Sequence, residues 1–304
     1  MNIDGIILID KPADFTSFDV VAKLRGIVGT KKIGHGGTLD PMATGVLPVF
    51  LGTATRCCSL LPEKRKRYRA RFRLGISTDT QDISGRETAR REVTASEADV
   101  IAAADSFLGK SEQLPPMYSA VKVNGRRLYD LARKNLEVER EKRTIEIFSL
   151  KVERFAQDEY TIEVECSQGT YIRTLCSDIG ERLGCGATVT YLRRTGSSGF
   201  GEERCVTMEK VRELVAEGRL GEILLTADSV FTQYPAYTLG EFDARLHLNG
   251  VRIWLSRLEE LPETDGYIRV YDENGQFLSL SETDREAGQL VPKAYFCRYG
   301  QPVT

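Results

Sequence analysis

Residues 34–48 read GHGGTLDPMATGVLP, and this loop contains Asp40 and His35, one of two histidines in the chain. Four glycines and two prolines lie within it, so the backbone is sharply turned rather than helical or plainly extended. A rigid turn around one carboxylate and one imidazole is typical of an active site. A glycine-rich turn in which Asp40 only bonds its own backbone is the ordinary alternative, and this segment alone favours neither.

Four further segments decide between these interpretations. They are GIILIDKP (5–12), KRY with LG and TDT downstream (66–68, 74–75 and 78–80), GTYIRTL (169–175) and YLRRT (191–195). Together with residues 34–48 they resemble, in the same order, the motifs of the TruB family of pseudouridine synthases over residues 3–230. The loop of that family typically reads GHTGTLDPLATGVLP, so Gly36 stands where Thr is usual and Met42 where Leu is usual.

The resemblance implies the bacterial, stand-alone branch of this family, which isomerises uridine to pseudouridine at position 55 in the T-loop of tRNA. The reaction breaks the N1–C1′ bond, rotates the uracil and rejoins it through C5, which needs no redox cofactor, metal or nucleotide triphosphate. We therefore expect no cofactor and no metal. Consistently, the sequence has neither a G-x-x-x-x-G-K-[ST] phosphate loop nor a His/Cys cluster with metal-ligand spacing.

The resemblance also implies three catalytic residues. Asp40 is the expected nucleophile, because a carboxylate can form and release a covalent link to sugar or base. Arg173 is its expected partner, since a nearby guanidinium keeps a carboxylate ionised. Tyr68 corresponds to the tyrosine that stacks on the extruded base, and its hydroxyl is a candidate for moving a proton. Whether Asp40 attacks C6 of the base or C1′ of the sugar stays open.

Further residues are expected to bind the substrate or support the loop. By the same resemblance Tyr171 lines the uracil pocket, Leu192 contacts the base, and His35 lies against the RNA near the place that the base vacates. Core packing is the ordinary alternative for Tyr68 and for Leu192, and for Leu192 it is equally favoured. Lys11 is expected to brace the catalytic loop without taking part in catalysis. Gly36 in place of Thr loosens the backbone beside His35, which leaves the RNA contact there open.

The pattern of strands and helices predicts an α+β fold. Residues 5–10 and 160–166 are typical of strands, whereas helices are predicted after Ser17, after a capping box at Thr94 and Glu97, from 172 to 183 and from Thr207. No regular βαβ alternation is present, which favours a largely antiparallel mixed sheet flanked by helices. The resemblance implies the same architecture for a pseudouridine-synthase catalytic domain over residues 1–230.

A small β-rich domain is predicted over residues 231–304. Charged residues become sparse between 228 and 240, and Asn274-Gly275 between two apolar runs is a strong signal for a two-residue hairpin. The position of this segment resembles the C-terminal PUA-like, RNA-binding domain of bacterial family members. His247 is expected to be a structural or surface histidine, and Trp254 a packing residue.

The composition and charge of the chain bear on its cellular location and on the kind of partner it binds. The chain has 304 residues, a net charge of −2 and seven cysteines without a C-x-x-C pair, and it lacks an apolar stretch long enough for a bilayer. We therefore expect a cytoplasmic protein with reduced thiols, without a signal peptide or a membrane segment. Seven Lys and Arg residues lie within 64–73, and residues 67–74 alternate apolar with basic. This basic strand suits RNA phosphates, although a solvated edge strand is the favoured alternative on charge alone.

The expected partner is the T stem-loop of tRNA, bound by a monomer that needs no obligatory protein partner. Two other functions remain possible from the sequence. The first is an RNA-binding or tRNA-folding protein of the same fold, in which catalysis is secondary or lost. The second is a guide-RNA-dependent pseudouridine synthase, which the short acidic C-terminal segment disfavours. The oligomeric state and the reach of the C-terminal domain along the tRNA are not determined by the sequence.

Overall fold

A mixed sheet with helices on its faces forms the larger part of the molecule. The computed structural model describes residues 3–123, 125–134, 136–264 and 266–297. The strands of the larger part are β1 (Gly5–Lys11), β2 (Ile33–His35), β3 (Thr44–Leu51), β4 (Lys66–Leu74), β5 (Ile76–Thr78), β6 (Glu87–Arg90), β7 (Gly109–Gln113), β8 (Lys122–Val123), β9 (Arg126–Arg127), β10 (Arg143–Ala156), β11 (Glu159–Cys166), β12 (Ala187–Ser197) and β13 (Phe200–Gly201). Its α-helices are α1 (Ser17–Val28), α2 (Glu97–Asp105), α3 (Leu128–Ala132), α4 (Ile172–Arg182) and α5 (Met208–Ala216).

The strand order of the main sheet is β1-β3-β12-β4-β11-β10-β7, with β2 paired to β3 and β13 to β12. Neighbours are antiparallel except β3 and β12, which run parallel. The predicted α+β fold with a largely antiparallel sheet is therefore confirmed. Gly45 at the start of β3 lies between Lys11 on β1 and Arg194 on β12, and Arg194 in turn lies beside Tyr68 on β4. The end of the loop over residues 34–48 is thus placed among these side chains.

The predicted alternation along β4 is correct. Ala70, Phe72 and Leu74 face a core that α2 and α4 cover, and Tyr68 packs partly exposed against the same core. Lys66 continues this inward row, however, and only 6% of its surface is exposed. Its inclusion among the cations of the basic strand was wrong, because the alternation extends one residue pair further towards the amino end.

The basic strand is neither an edge strand nor a row of free cations. It lies between β12 and β11 in the middle of the sheet. Three outward arginines pair with glutamates of β11, at 3.3 Å for Arg65–Glu165, 2.8 Å for Arg69–Glu163 and 3.4 Å for Arg73–Glu159. Exposed pairs of this kind contribute little to stability, but they neutralise much of the charge that would attract phosphates.

Two helices begin slightly away from the predicted caps. Thr16 caps α1 and Ser96 caps α2, each in a capping box with an aspartate three residues later, so the predicted caps Ser17 and Thr94 were wrong. The prediction of Thr207 as the cap of α5 is confirmed, since its side chain accepts from the amide of Lys210. Neighbouring Ser and Thr residues have similar capping preferences, which explains the shifts. None of the helices in the described ranges is long and apolar enough to cross a membrane.

The C-terminal segment forms a second sheet in the order β14-β16-β17-β18-β15. Its elements are β14 (Ala236–Leu239), α6 (Glu241–Leu248), β15 (Ile253–Trp254), β16 (Tyr267–Asp272), β17 (Phe277–Asp284) and β18 (Gln289–Tyr295). Short 3₁₀ segments occur in both parts of the molecule, at Gly52–Ser59, Glu202–Arg204, Leu220–Ile223, Ala227–Val230 and Leu255–Arg257. The antiparallel pair β16 and β17 confirms a hairpin at Asn274-Gly275, but the predicted two-residue loop was wrong. The amide of Asp272 donates to the carbonyl of Gln276 at 3.1 Å, so the loop has three residues and ends at Gly275 with φ +77°.

Aromatic packing joins the two sheets. Phe231, Phe277 and Phe296 form a cluster that also contains Ile6 and Leu8 of β1. The division into residues 1–230 and 231–304 therefore falls at a well-packed junction, and it stays a prediction.

Two side chains of the C-terminal segment were predicted to have ordinary roles, His247 on α6 as a structural or surface residue and Trp254 on β15 as a packing residue. His247 is buried and hydrogen-bonds Ser279 at 2.7 Å, as a structural residue should. Trp254 is 53% exposed, so its prediction as a packing residue was wrong.

Candidate active site

The loop between β2 and β3 places Asp40 at the centre of the main sheet. At the start of the loop, the amide of Gly36 donates to the carbonyl of Pro48 at 2.8 Å. Further along, the amide of Ala43 donates to the carbonyl of Asp40 at 3.1 Å and closes a turn. Gly45 ends the loop with φ +98°, and a Cβ there would lie 2.2 Å from the carbonyl oxygen of Arg194. Only glycine fits this close approach. We name residues 36–43 the Asp40 loop.

Asp40 forms a bidentate ion pair with Arg173 at the start of α4. Nε of Arg173 donates to Oδ2 of Asp40 at 2.9 Å, and Nη2 donates to Oδ1 at 3.1 Å. The side chain of Arg173 is 3% exposed, whereas that of Asp40 is 32% exposed. The pair therefore fixes the orientation of a carboxylate that still opens to solvent, and bidentate geometry of this kind is both strong and directional.

The same guanidinium holds three further acceptors. Nη1 donates to the carbonyl of Thr80 at 2.6 Å and approaches Oδ2 of Asp82 at 3.4 Å, while Nη2 donates to the carbonyl of Tyr118 at 2.8 Å. Asp82 is buried, and its Oδ1 accepts from the amide of Ser84 at 3.0 Å. Arg173 is thus shared between two carboxylates and two loops. Sequence reasoning missed Asp82, although it follows the TDT segment that was singled out.

Tyr171 is set in place through its backbone. It is the residue before α4, and its amide and carbonyl exchange hydrogen bonds with the side chain of buried Gln113 at 2.8 and 3.0 Å. This reciprocal pair fixes the first turn of α4 and hence the origin of the Arg173 side chain. The ring of Tyr171 is partly exposed, as a pocket residue requires.

Tyr68 lies on β4 beside Arg194 of β12. Burial raises the pKa of the Tyr68 phenol, while the charge of Arg194 and a hydrogen bond from it act in the opposite direction. The phenol is therefore neutral near pH 7. Leu192 lies two residues before Arg194 and is 4% exposed, in the same core against which Tyr68 packs. This placement agrees with the core-packing alternative for Leu192.

His35 ends β2 at the entry to the Asp40 loop and is partly exposed. Burial lowers the pKa of its imidazole, with a further contribution from the charge of Arg194, so that the ring is neutral at pH 7. Its Nδ1 has no hydrogen-bond partner among the described residues. That nitrogen is buried, so the partly exposed, neutral ring is suited to stacking.

Three buried cations hold the Asp40 loop from behind. Lys11 donates to the carbonyl of Pro41 at 3.1 Å, which is the contact that a bracing role requires. Burial lowers the pKa of Lys11 to about 8. Lys66 donates to the carbonyl of Gly36 at 3.3 Å. Arg194 donates to three carbonyls, those of Val46 at 2.8 Å, Gly37 at 3.1 Å and Thr38 at 3.4 Å.

Comparison with known proteins adds a family to this geometry. Residues 25–172 match the model of the TruB family pseudouridylate synthase (N terminal domain), and residues 173–232 match that of the tRNA pseudouridylate synthase B C-terminal domain. The chain belongs to the TruB family. It is 41% identical to the tRNA pseudouridine synthase B of Escherichia coli (strain K12) over 98% of this chain and 96% of that protein. The protein of the same description from Shigella flexneri serotype 5b matches equally.

Solved structures agree on the fold of this TruB chain. A chain of a Cbf5-Nop10-Gar1 complex superposes with a TM-score of 0.72 at 25% identity, covering 97% of this chain and 85% of that one. A chain of an H/ACA RNP bound to a substrate RNA containing 2′-deoxyuridine gives 0.71 at 22% identity, covering 97% and 86%. The expectation of a TruB fold is confirmed.

The structure brings together most of the residues that the sequence singled out. Asp40 contacts Arg173 directly, Lys11 contacts the loop that carries Asp40, and Tyr68 and Tyr171 are partly exposed nearby in the fold. Lys66 and Arg194 were not predicted as site residues. A signal was present, because both lie within segments that carry the TruB resemblance. Among the described residues no group of acidic, His or Cys side chains could hold a metal ion.

Proposed function

We propose that this TruB chain isomerises uridine 55 in the T-loop of tRNA to pseudouridine, without a guide RNA or a protein partner. The observation that carries the proposal is the bidentate Asp40–Arg173 pair, which presents an oriented, partly exposed carboxylate in a pseudouridylate synthase family. Relatives named tRNA pseudouridine synthase B match 98% of the chain, which supports tRNA as the substrate.

Asp40 acts as the nucleophile in this proposal. Asp40 forms a transient bond to the base or the sugar and the N1–C1′ bond breaks. The uracil rotates, C5 bonds to C1′ and the bond to Asp40 breaks, so the carboxylate is regenerated. The proton then leaves C5 and N1 gains a proton, so that substrate and product are isomers. Arg173 holds both carboxylate oxygens of Asp40 in one orientation, and this preorganisation is its main contribution. The attacked atom, C6 of the base or C1′ of the sugar, is not specified by this step.

The target base must leave the RNA stack before it reaches Asp40, at a cost of a few kcal/mol. Tyr68 stacks on the extruded base as a neutral phenol, and Tyr171 closes the pocket beside it. The neutral ring of His35 takes the place that the base vacates, and Leu192 backs the base from the core. Stacking on aromatic rings recovers about 1–3 kcal/mol for each base.

The C-terminal sheet is proposed as a PUA-like RNA-binding domain over residues 231–304, and the protein as a monomer. We also place it in the cytoplasm. The support for this location is that all seven cysteines are free, which suits a reducing compartment.

The proposal is tested with an unmodified tRNA transcript and the purified chain alone. Pseudouridine is mapped by carbodiimide modification and primer extension, beside a transcript with cytidine at position 55. We expect one pseudouridine for each tRNA, at position 55 only. Conversion at another position would refute the assigned site, and conversion only with added guide RNA or protein would favour the guide-dependent alternative. Tight binding without conversion would favour an RNA-folding protein.

A further inference from the structure

Two buried cations lie directly behind the Asp40 loop without a counter-ion. Lys66 is 6% and Arg194 1% exposed, and no carboxylate lies within 4 Å of either in the described part of the chain. Both approach the same point of the loop, since a Cβ on Gly37 would lie 3.6 Å from Nη1 of Arg194 and 3.7 Å from Nζ of Lys66. We name Lys66 and Arg194 the buried cation pair.

All acceptors of the pair are neutral. Lys66 donates to Oγ of Ser197 at 2.7 Å and Oγ of Ser198 at 2.9 Å as well as to the Asp40 loop. Arg194 donates to backbone carbonyls and to the neutral phenol of Tyr68. A neutral apolar pair of similar volume would hold these strands at a lower desolvation cost. Bracing therefore explains the hydrogen bonds, but it does not explain two like charges in one buried place.

One member of the pair, Arg194, lies directly beside Tyr68 on the neighbouring strand. Arg194 acts on Tyr68 through its charge and a hydrogen bond, and it also acts on Lys11 and His35. Burial and the charge of Arg194 lower the pKa of Lys66 to about 7. Cys166 and Glu63 also face Lys66, and they act in the opposite direction by favouring its charged form. Below that pH both members of the pair are charged, and their field is weakly screened because the surroundings exclude water.

The chemistry of the proposed function needs such a field. When Asp40 attacks C1′ rather than C6, the electron pair of the breaking N1–C1′ bond stays on uracil, and the negative charge spreads from N1 to O2 and O4. The charge disappears when C5 bonds to C1′, the C5 proton leaves and N1 is protonated. We propose that the buried cation pair stabilises the detached, anionic uracil, acting across the Asp40 loop as positioning and field-setting residues. This inference rests on the proposed function of the chain.

The test compares two substrates that differ in how well the base carries negative charge. A synthetic T stem-loop RNA contains either uridine or 4-thiouridine at position 55. Sulfur at C4 stabilises the anion of the base, and the base keeps the hydrogen at C5 that the reaction must release. Single-turnover rates at saturating enzyme and pH 6.5 are measured as loss of the N-glycosidic nucleoside after nuclease digestion. RNA Kd and melting temperature are measured for every variant.

We expect Lys66→Met to slow conversion of uridine by about 30-fold and of 4-thiouridine by less than about fivefold, with RNA Kd changed by less than about threefold. Lys66→Gln can still form a hydrogen bond with Ser197 and serves as the second variant if Lys66→Met does not fold. It should show the same larger loss of rate on uridine than on the other substrate. Arg194→Lys keeps the charge but loses loop contacts, so its loss should be equal for both substrates. The control Arg69→Met removes an outward, glutamate-paired cation of the same strand and should leave both rates within about twofold.

Equal losses on both substrates for Lys66→Met and Lys66→Gln would overturn the inference and leave the pair as a brace. Rates within about twofold of wild type would overturn it as well. Failure of the wild-type chain to convert uridine would instead refute the proposed function, so the two failures are distinguishable.

Discussion

Replacement of Arg173 by lysine tests how much the orientation of Asp40 matters. Arg173 donates to five acceptors, two of them on Asp40 and one each on Asp82, Thr80 and Tyr118. A lysine keeps the positive charge but offers three donors from one nitrogen, so at least two acceptors lose their partner. The bidentate contact with Asp40 cannot be reproduced.

The expected size of the defect follows from the lost contacts. Hydrogen bonds to charged groups contribute about 1.5–3 kcal/mol each, so two of them correspond to about 3 kcal/mol or more. If this loss falls on the transition state, the rate decreases by at least roughly 100-fold, because 1.36 kcal/mol corresponds to a factor of ten. RNA affinity should change little, since Arg173 is buried and its partners lie within the protein.

The assay is single-turnover tritium release from a tRNA transcript labelled at C5 of uracil, with saturating enzyme. Arg182→Lys is the matched control, because it makes the same change at the exposed end of the same helix and should keep at least about half of the wild-type rate. If Arg173→Lys also keeps half of the wild-type rate, the bidentate orientation of Asp40 is not required and the reasoning fails.

Three further predictions concern the site and the C-terminal sheet. Asp82→Asn should slow tritium release by about tenfold, because Arg173 loses its second charged acceptor; an unchanged rate would contradict this. Gly45→Ala should lower the free energy of unfolding by at least about 2 kcal/mol in denaturant titrations, because the new Cβ would lie 2.2 Å from the carbonyl oxygen of Arg194 and φ is +98°. The control Gly26→Ala, on α1 with open space around the new Cβ, should raise the free energy of unfolding by about 0.5–1 kcal/mol. Burial lowers the pKa of His247 from 6.5 to about 4, so the unfolded chain binds a proton between these values that the folded chain does not. Stability should therefore fall by up to about 3 kcal/mol as the pH falls from 6.5 to 4, and the fall should be smaller in His247→Gln; equal pH dependence would refute the assignment.

Local patterns were sufficient to predict much of the fold. The alternation along β4 and the strand before Gly169 were readable because one face of each strand is apolar and buried. The glycine and proline spacing of residues 34–48 indicated a shaped loop, and the structure shows why, since Gly45 packs against the backbone of β12. The roles of Asp40, Tyr68 and Arg173 stay predictions although their placement suits those roles.

Buried charge was not readable from the sequence. Lysine and arginine in a strand normally indicate a solvated face, so Lys66 was counted with the other cations of residues 64–73 and Arg194 was left without a role. Their burial depends on carbonyls of a loop about 30 and 150 residues away along the chain. Asp82 was missed for the same reason, because its partner Arg173 lies 91 residues further on.

Tritium release by wild type beside Asp40→Asn tests the central claim most directly. The substrate is an unmodified tRNA transcript labelled at C5 of uracil, and no guide RNA or other protein is added. We predict release of about one tritium for each tRNA by wild type and none above background by Asp40→Asn, with both proteins binding the tRNA to a similar extent. Release by Asp40→Asn at the wild-type rate would contradict the assignment of Asp40 as the nucleophile.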